Sequence, residues 1–141
     1  MHWFPKGVPI EKRLFDLLVS SLVLLVFSPL YLLVALLIWL SDGWPVIFTQ
    51  ERPGLHGKIF RMWKFRTMRD VRDGKGELLP DAERIFPIGK FLRKTSLDEL
   101  PEFINVFLGE MSIVGPRPLL VAYLERYSPE QARRHEVLPG V

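Results

Sequence analysis

The chain has 141 residues, enough for one domain of modest core and no more. Its 19 Lys and Arg against 16 Asp and Glu leave a net charge of +3, which suits an anionic partner such as phosphate, nucleic acid or an acidic membrane face. With no cysteine, a disulfide framework and a thiolate metal site are excluded, and His2, His56 and His135 are too scattered to suggest a zinc site.

Met1 to Pro9 is short, basic and aromatic, and Trp3, Phe4 and Lys6 suit a membrane–water interface. An apolar run follows from Leu17 to Leu40, interrupted only by small or polar residues and Pro29, with no charge between Asp16 and Asp42. As one helix it would be about 36 Å long, enough for a hydrocarbon core of roughly 30 Å. Asp42-Gly43-Trp44-Pro45 is no small-residue cleavage site, which argues against a signal peptide. Ser28-Pro29 lies near the middle. Proline there removes a backbone hydrogen bond and clashes with the carbonyl of Leu25, so a kink or break is expected. The Ser28 hydroxyl is placed to satisfy a freed carbonyl, which lipid would otherwise make costly.

The flanking charges leave two topologies open. Lys6, Lys12 and Arg13 precede the run, and Arg52, Lys58, Arg61, Lys64, Arg66 and Arg69 follow it. Asp42 and Glu51 open the far flank, so the contrast close to the run is modest. A kinked spanning helix and a re-entrant one both satisfy this pattern.

Trp44 to Gln50 reads as a short strand, and Glu51 to Lys58 as a turn signalled by Pro53-Gly54. Ile59 to Met68 alternates apolar and basic residues at period two, which predicts a hairpin. Arg61, Lys64 and Arg66 are expected on its polar face, with the alternation slipping at Met62-Trp63. That face is either solvated or set against anionic lipid or a nucleotide phosphate. Asp70 to Asp81 is a charged, glycine-containing surface loop. Short helical turns are expected around Asp81 to Leu92, broken by Pro87 and Gly89.

Leu100, Phe103, Ile104, Phe107 and Leu108 form a stripe that predicts an amphipathic helix from about Ser96 to Leu108, ended by Gly109. Pro101 falls in its first turns, and Asn105 lies away from the stripe's centre. Asp98-Glu99 would sit at the helix N-terminus, which admits two readings. One is an ordinary acidic first turn with Ser96 as N-cap and Glu99 completing a capping box. The other is chemical: adjacent carboxylates need a metal, an arginine or a shared proton to compensate their repulsion. Met111 to Val114 is strand-like and leads into Gly115-Pro116-Arg117-Pro118. Two prolines restrict the backbone there and present Arg117 as a phosphate ligand. Leu119 to Arg126 reads as a helix, and Ser128 to Gln131 as the cap of the next.

These segments resemble the bacterial sugar transferases, the monotopic polyprenyl-phosphate phosphoglycosyl transferases. The matching stretches are Lys12-Arg13-Leu14-Phe15-Asp16, Ser28-Pro29, Gln50 to Gly54, Lys64 to Met68, Thr95 to Pro101, Asn105-Val106 and Gly109 to Pro118. Each is weak alone; in family order from residue 12 onward they are highly specific. The resemblance implies an α+β fold. Residues 1–41 would form a re-entrant membrane helix broken at Ser28-Pro29, and residues 42–141 a cytoplasmic catalytic domain with a hairpin and amphipathic interfacial helices. Lys12, Arg13 and Asp16 would lie at the headgroup level and hold that geometry, on the cytoplasmic face of the bacterial plasma membrane.

The resemblance also implies a reaction. Asp98 would attack the β-phosphate of a nucleoside diphosphate-sugar, usually a UDP-sugar, and release UMP. A polyprenyl phosphate such as undecaprenyl phosphate would then take the sugar phosphate from the aspartate. Glu99 would be the Mg²⁺ ligand. Beyond the resemblance, we assign Arg117 as a phosphate clamp and Lys64 and Arg66 as added positive charge near the nucleotide. Family members continue beyond a Pro-Gly-(Val or Ile)-Thr-Gly segment, so Pro139-Gly140-Val141 leads us to expect a C-terminally incomplete catalytic domain. The alternative from another class is a catalytically inactive membrane scaffold or fragment. A nucleic-acid-binding module has no use for the apolar run, so nucleic acid is not expected as a partner. A homo-oligomer is compatible with everything above.

Overall fold

The computed structural model describes residues 3–141; Met1 and His2, from the basic aromatic segment, lie outside it. The apolar run forms helices α1 (Ile10–Val26) and α2 (Ser28–Asp42), bent by 59° at Phe27. Pro29 occupies the first turn of α2, where its missing N–H is tolerated, and Ser28 Oγ donates to the Leu25 carbonyl at 2.8 Å. Among the described residues no single helix is long and apolar enough to cross a bilayer; the bent pair passes together.

The two helices bury opposite chemistry. On α1 the fully buried side chains are Arg13, Asp16 and Ser20, while Leu14, Phe15, Leu18, Leu22 and Leu25 are exposed. This is the reverse of a helix whose apolar stripe faces a protein core. Helix α2 buries Val34 and Ile38 against Val46, Phe65, Phe86 and Leu92. The expected division at residue 41 therefore marks a change of sequence character, because one core crosses it.

The hairpin forms, with β1 (Ile47–Pro53) antiparallel to β2 (Ile59–Phe65). The first strand begins and ends later than expected, closing on Pro53, which an edge strand tolerates. Pairing runs without a slip from Ile47 opposite Phe65 to Pro53 opposite Ile59. Lys64 therefore shares its face with Phe60 and Met62, and Arg61 points the other way, so the expected common basic face does not form. Phe60 and Met62 pack with Val106 and Met111 in a second core, while Phe65 joins the first. Lys64 sits at the seam.

Helices α3 (Asp81–Arg84) and α4 (Pro87–Thr95) follow the exposed loop. The helix expected over Ser96–Leu108 is divided. Ser96 is the left-handed C-cap of α4 (φ 56°), Leu97–Glu99 is a 3₁₀ turn, and α5 runs Glu102–Leu108. Pro101 lacks an N–H and collides with the carbonyl four residues back, so the α-helix starts only after it. Ser96 makes no side-chain cap, which removes the capping-box reading of Asp98-Glu99. On α5 the fully buried residues are Glu102, Asn105 and Val106, and the apolar stripe is left half-buried. Gly109 ends the helix in the left-handed region (φ 85°), as expected.

Val121–Arg126 is 3₁₀ where an α-helix was expected. Ser128 caps α6 (Pro129–Ala132) in a reciprocal box with Gln131, matching the sequence reading.

Candidate active site

The turn after Ser96 brings Asp98 and Glu99 beneath the inner face of β2. Lys64 Nζ lies 2.8 Å from Glu99 Oε1 and 3.0 Å from Glu102 Oε1. Arg117 Nη2 donates to the same Glu99 oxygen at 2.6 Å. One cavity is lined by Arg52, Met62, Lys64, Glu99, Glu102 and Arg117 together with Pro118, Gly140 and Val141.

The acids differ in proton affinity. Burial raises Asp98 above the ordinary carboxyl range; the like charge of Glu99 adds to this, while Lys64 and Arg93 oppose it. Burial also works on Glu99, but the hydrogen bonds and charges of Lys64 and Arg117 outweigh it and hold Glu99 low. Glu102 is pushed up by burial, against Lys64. The turn thus pairs a more basic carboxylate with a firmly ionised neighbour.

Arg117 reaches the cavity because two chain segments meet without side chains between them. A Cβ on Gly115 would lie 2.2 Å from the Leu138 carbonyl oxygen, and one on Gly140 2.3 Å from that of Gly115. The Ser112 N–H donates to Pro139 at 2.8 Å, Gly140 to Pro116 at 3.0 Å, and Val141 to Ser112 at 3.1 Å. Arg134 Nη2 holds the Arg117 carbonyl at 2.8 Å.

The Bacterial sugar transferase family description matches residues 8–141. This chain belongs to that family. It is 53% identical over 132 residues to the uncharacterized sugar transferase EpsL of Bacillus subtilis (strain 168), covering 94% of this chain and 65% of that protein. Identity is 45% over 135 residues to the UDP-glucose:undecaprenyl-phosphate glucose-1-phosphate transferase of Escherichia coli (strain K12), covering 92% and 29%. With the protein of the same description from Caulobacter vibrioides it is 40% over 140 residues, covering 96% and 52%. The chain therefore spans less than two-thirds of each of these relatives.

Of the residues singled out in the sequence of this sugar transferase, Glu99, Lys64 and Arg117 are in direct contact, and Asp98 precedes Glu99 on the same turn. Arg66 does not join them. Its guanidinium pairs with Asp42 at 2.9 Å and donates to the Asp42 and Gly43 carbonyls at 2.7 and 3.0 Å, fastening the end of α2. Arg13 and Asp16 are fully buried and fasten α1 to α5 and to the segment that leads to Arg117. Arg13 donates to the carbonyls of Val106 and Phe107 at 2.6 and 2.7 Å, the C-terminal end of α5. Asp16 accepts from Ser112 Oγ and the Ile113 N–H, both at 3.0 Å, and Lys12 donates to the Val114 carbonyl at 3.2 Å.

Two cavity-lining residues and one that holds β2 in place escaped the sequence reading. Glu102 was hidden behind Pro101, Arg52 lay inside a segment read as turn, and Asn105 was set outside the apolar stripe. Asn105 is fully buried; its Oδ1 accepts from the Trp63 N–H at 3.0 Å, and its Nδ2 donates to the Arg61 carbonyl and to Glu110, both at 2.7 Å. The strand register brings Arg52 to the Lys64 face, and the packing of α5 on β2 brings Glu102 to Lys64.

Proposed function

We propose that this chain carries the active site of a phosphoglycosyl transferase, moving a sugar 1-phosphate from a UDP-sugar to a polyprenyl phosphate and so initiating bacterial glycan assembly. The observation that carries the reading is the meeting of Glu99 with Lys64 and Arg117 at one cavity, with Asp98 adjacent to Glu99 and within the electrostatic reach of Lys64, in a member of this family. The descriptions of the Escherichia coli and Caulobacter vibrioides relatives, which name undecaprenyl phosphate and UDP-glucose, support it.

In the first step a carboxylate oxygen of Asp98 attacks the donor's β-phosphorus. The new O–P bond forms as the bond to the bridging oxygen breaks, and UMP departs with that electron pair. An oxygen of polyprenyl phosphate then attacks the same phosphorus, giving polyprenyl diphosphate-sugar and freeing the Asp98 carboxylate. Burial raises the basicity of Asp98 and hence its nucleophilicity, while Lys64 and Arg93 favour its ionised form. Arg117, on its stiff turn, exchanges Glu99 for phosphate oxygens.

Glu99 is the residue that would hold Mg²⁺. Among the described residues no three His, Asp or Glu gather as a metal cage, but Mg²⁺ needs only one or two carboxylates when substrate phosphates complete its shell. When bound, the ion neutralises phosphate oxygens that would otherwise repel the Asp98 carboxylate. We further propose a re-entrant α1–α2 unit in the cytoplasmic face of the plasma membrane, with the exposed leucines of both helices in lipid.

Intact mass of the detergent- or nanodisc-held chain, after exposure to a panel of UDP-sugars with Mg²⁺ and no acceptor lipid, tests the reaction. The expected result is an adduct of one phosphosugar on wild type and none on Asp98→Asn, with membrane binding kept in both. An adduct that persists in Asp98→Asn removes the assigned nucleophile. Absence of both adduct and UDP binding on this chain and on a C-terminally extended one favours the scaffold.

A further inference from the structure

Arg52 has no role in the reaction as drawn above, yet its position is constrained. It lies on β1 opposite Phe60, with Gln50 opposite Met62 and Phe48 opposite Lys64, so its side chain projects on the Lys64 face. The guanidinium lines the same cavity as Glu99 and Arg117. Gln50 Oε1 accepts from Arg52 Nη2 at 2.7 Å and fixes one edge of the fork. The Nε is buried and has no hydrogen-bond partner.

A buried N–H without an acceptor is costly, and so is a second guanidinium beside the first. Burial disfavours the charge on Arg52, and the nearby charge of Arg117 disfavours it further, while Glu102 offsets only part. Arg117, by contrast, is 74% exposed and bonded to Glu99 through a single nitrogen, so it can turn. A ligand that answers both arginines must be anionic, rich in acceptors and wide enough for two forks. A diphosphate has these properties.

We propose that Arg52 and Arg117 form a two-armed clamp on the diphosphate of the nucleotide donor, with Arg52 the fixed arm and Arg117 the moving one. This rests on the donor assigned above. Gln50 is then a positioning residue, holding the fixed arm's plane. The cost of gathering two guanidiniums in the free protein is released when the diphosphate arrives, which makes the site selective for that group.

The test is UDP affinity by calorimetry on the full chain in nanodiscs at fixed Mg²⁺ for wild type, Arg52→Gln and Arg61→Gln. The last makes the same charge change on the opposite, exposed face of the hairpin. Arg52→Gln is expected to weaken UDP binding by about tenfold or more, the loss of one charged hydrogen-bonding arm, and to flatten the dependence of affinity on ionic strength. Arg61→Gln should stay within about twofold of wild type, as expected for a solvated charge. Equal affinities for Arg52→Gln and Arg61→Gln, or a loss with unchanged salt dependence, overturn the clamp and leave the donor assignment standing. If Arg52→Gln does not fold, Arg52→Lys keeps charge and bulk but lacks the fork. It should bind UDP about threefold more weakly, and wild-type affinity there overturns the clamp. Wild type without UDP affinity overturns the donor assignment and the clamp together.

Discussion

Lys64 Nζ sits 2.8 Å from Glu99 and 3.0 Å from Glu102, so one ammonium serves two acids of opposite tendency. Glu99 is held ionised and exposed enough to meet a ligand; Glu102 is 3% exposed and driven towards its neutral form by burial. The charged groups facing Glu102 are Lys64, Glu99, Arg117 and Arg52, and the cations only partly offset burial. A carboxyl whose proton affinity rises on folding costs stability as pH climbs from its ordinary value through its raised one. In metal-free buffer, the thermal midpoint of wild type relative to Glu102→Gln should therefore fall across that interval. A difference that is flat with pH, or that rises, would show that Lys64 dominates Glu102 instead.

At the scale of elements, α5 joins the site to both cores. Its first residue, Glu102, meets Lys64, its middle residue Asn105 bonds β2, and its last carbonyls receive Arg13 from α1. Asn105 satisfies the Trp63 N–H and the Arg61 carbonyl, both left over on the edge of a two-stranded sheet. Asn105→Ala should cost about 3 kcal/mol, because buried backbone groups lose their partners without gaining water. Thermal denaturation of the reconstituted chain measures this. A loss below about 0.5 kcal/mol, the size of an ordinary surface change, would show that the bonds are replaced on truncation. Phosphosugar adduct formation should decline with β2 placement, since Lys64 follows Trp63 directly.

At the scale of the molecule, the polar faces of α1 and the apolar face of α2 grip the same domain. Arg13 and Asp16 bind α5 and the segment leading to Arg117, while Val34 and Ile38 enter the core beside Phe65. Leu14, Leu18, Leu22, Leu25, Leu32 and Leu40 are turned outward, the arrangement expected where the surroundings are lipid and charges retreat into the protein. If the bent pair is re-entrant, Lys6→Cys and Lys58→Cys should both be labelled by an impermeant thiol reagent from the cytoplasmic side alone. Labelling from opposite sides would mean that the pair spans.

Sequence by itself determined what depends on near neighbours along the chain. The break at Ser28-Pro29, the hairpin around Pro53-Gly54, the stop at Gly109 and the Ser128 cap follow from backbone chemistry within a few residues. The ordered motifs were enough to point to the family and to Asp98 and Glu99, and the Pro-Arg-Pro turn to Arg117; of the two basic residues assigned beside them, Lys64 reaches Glu99 and Arg66 does not. Pro101 is local too: it divides one expected helix into a 3₁₀ turn and a short helix, which moves the acid pair off a helix N-terminus. Tertiary structure alone decided the rest. Strand register, a long-range property, set Lys64 and Arg52 on one face and sent Arg61 to the other. Partners distant in sequence drew Arg66 to Asp42, buried Glu102 beside Lys64 and buried Asn105 against the edge of β2. Local sequence fixes which conformations a segment can adopt, but the neighbour of a charged side chain is chosen only when remote segments pack, because burial makes an unpartnered charge too costly to leave.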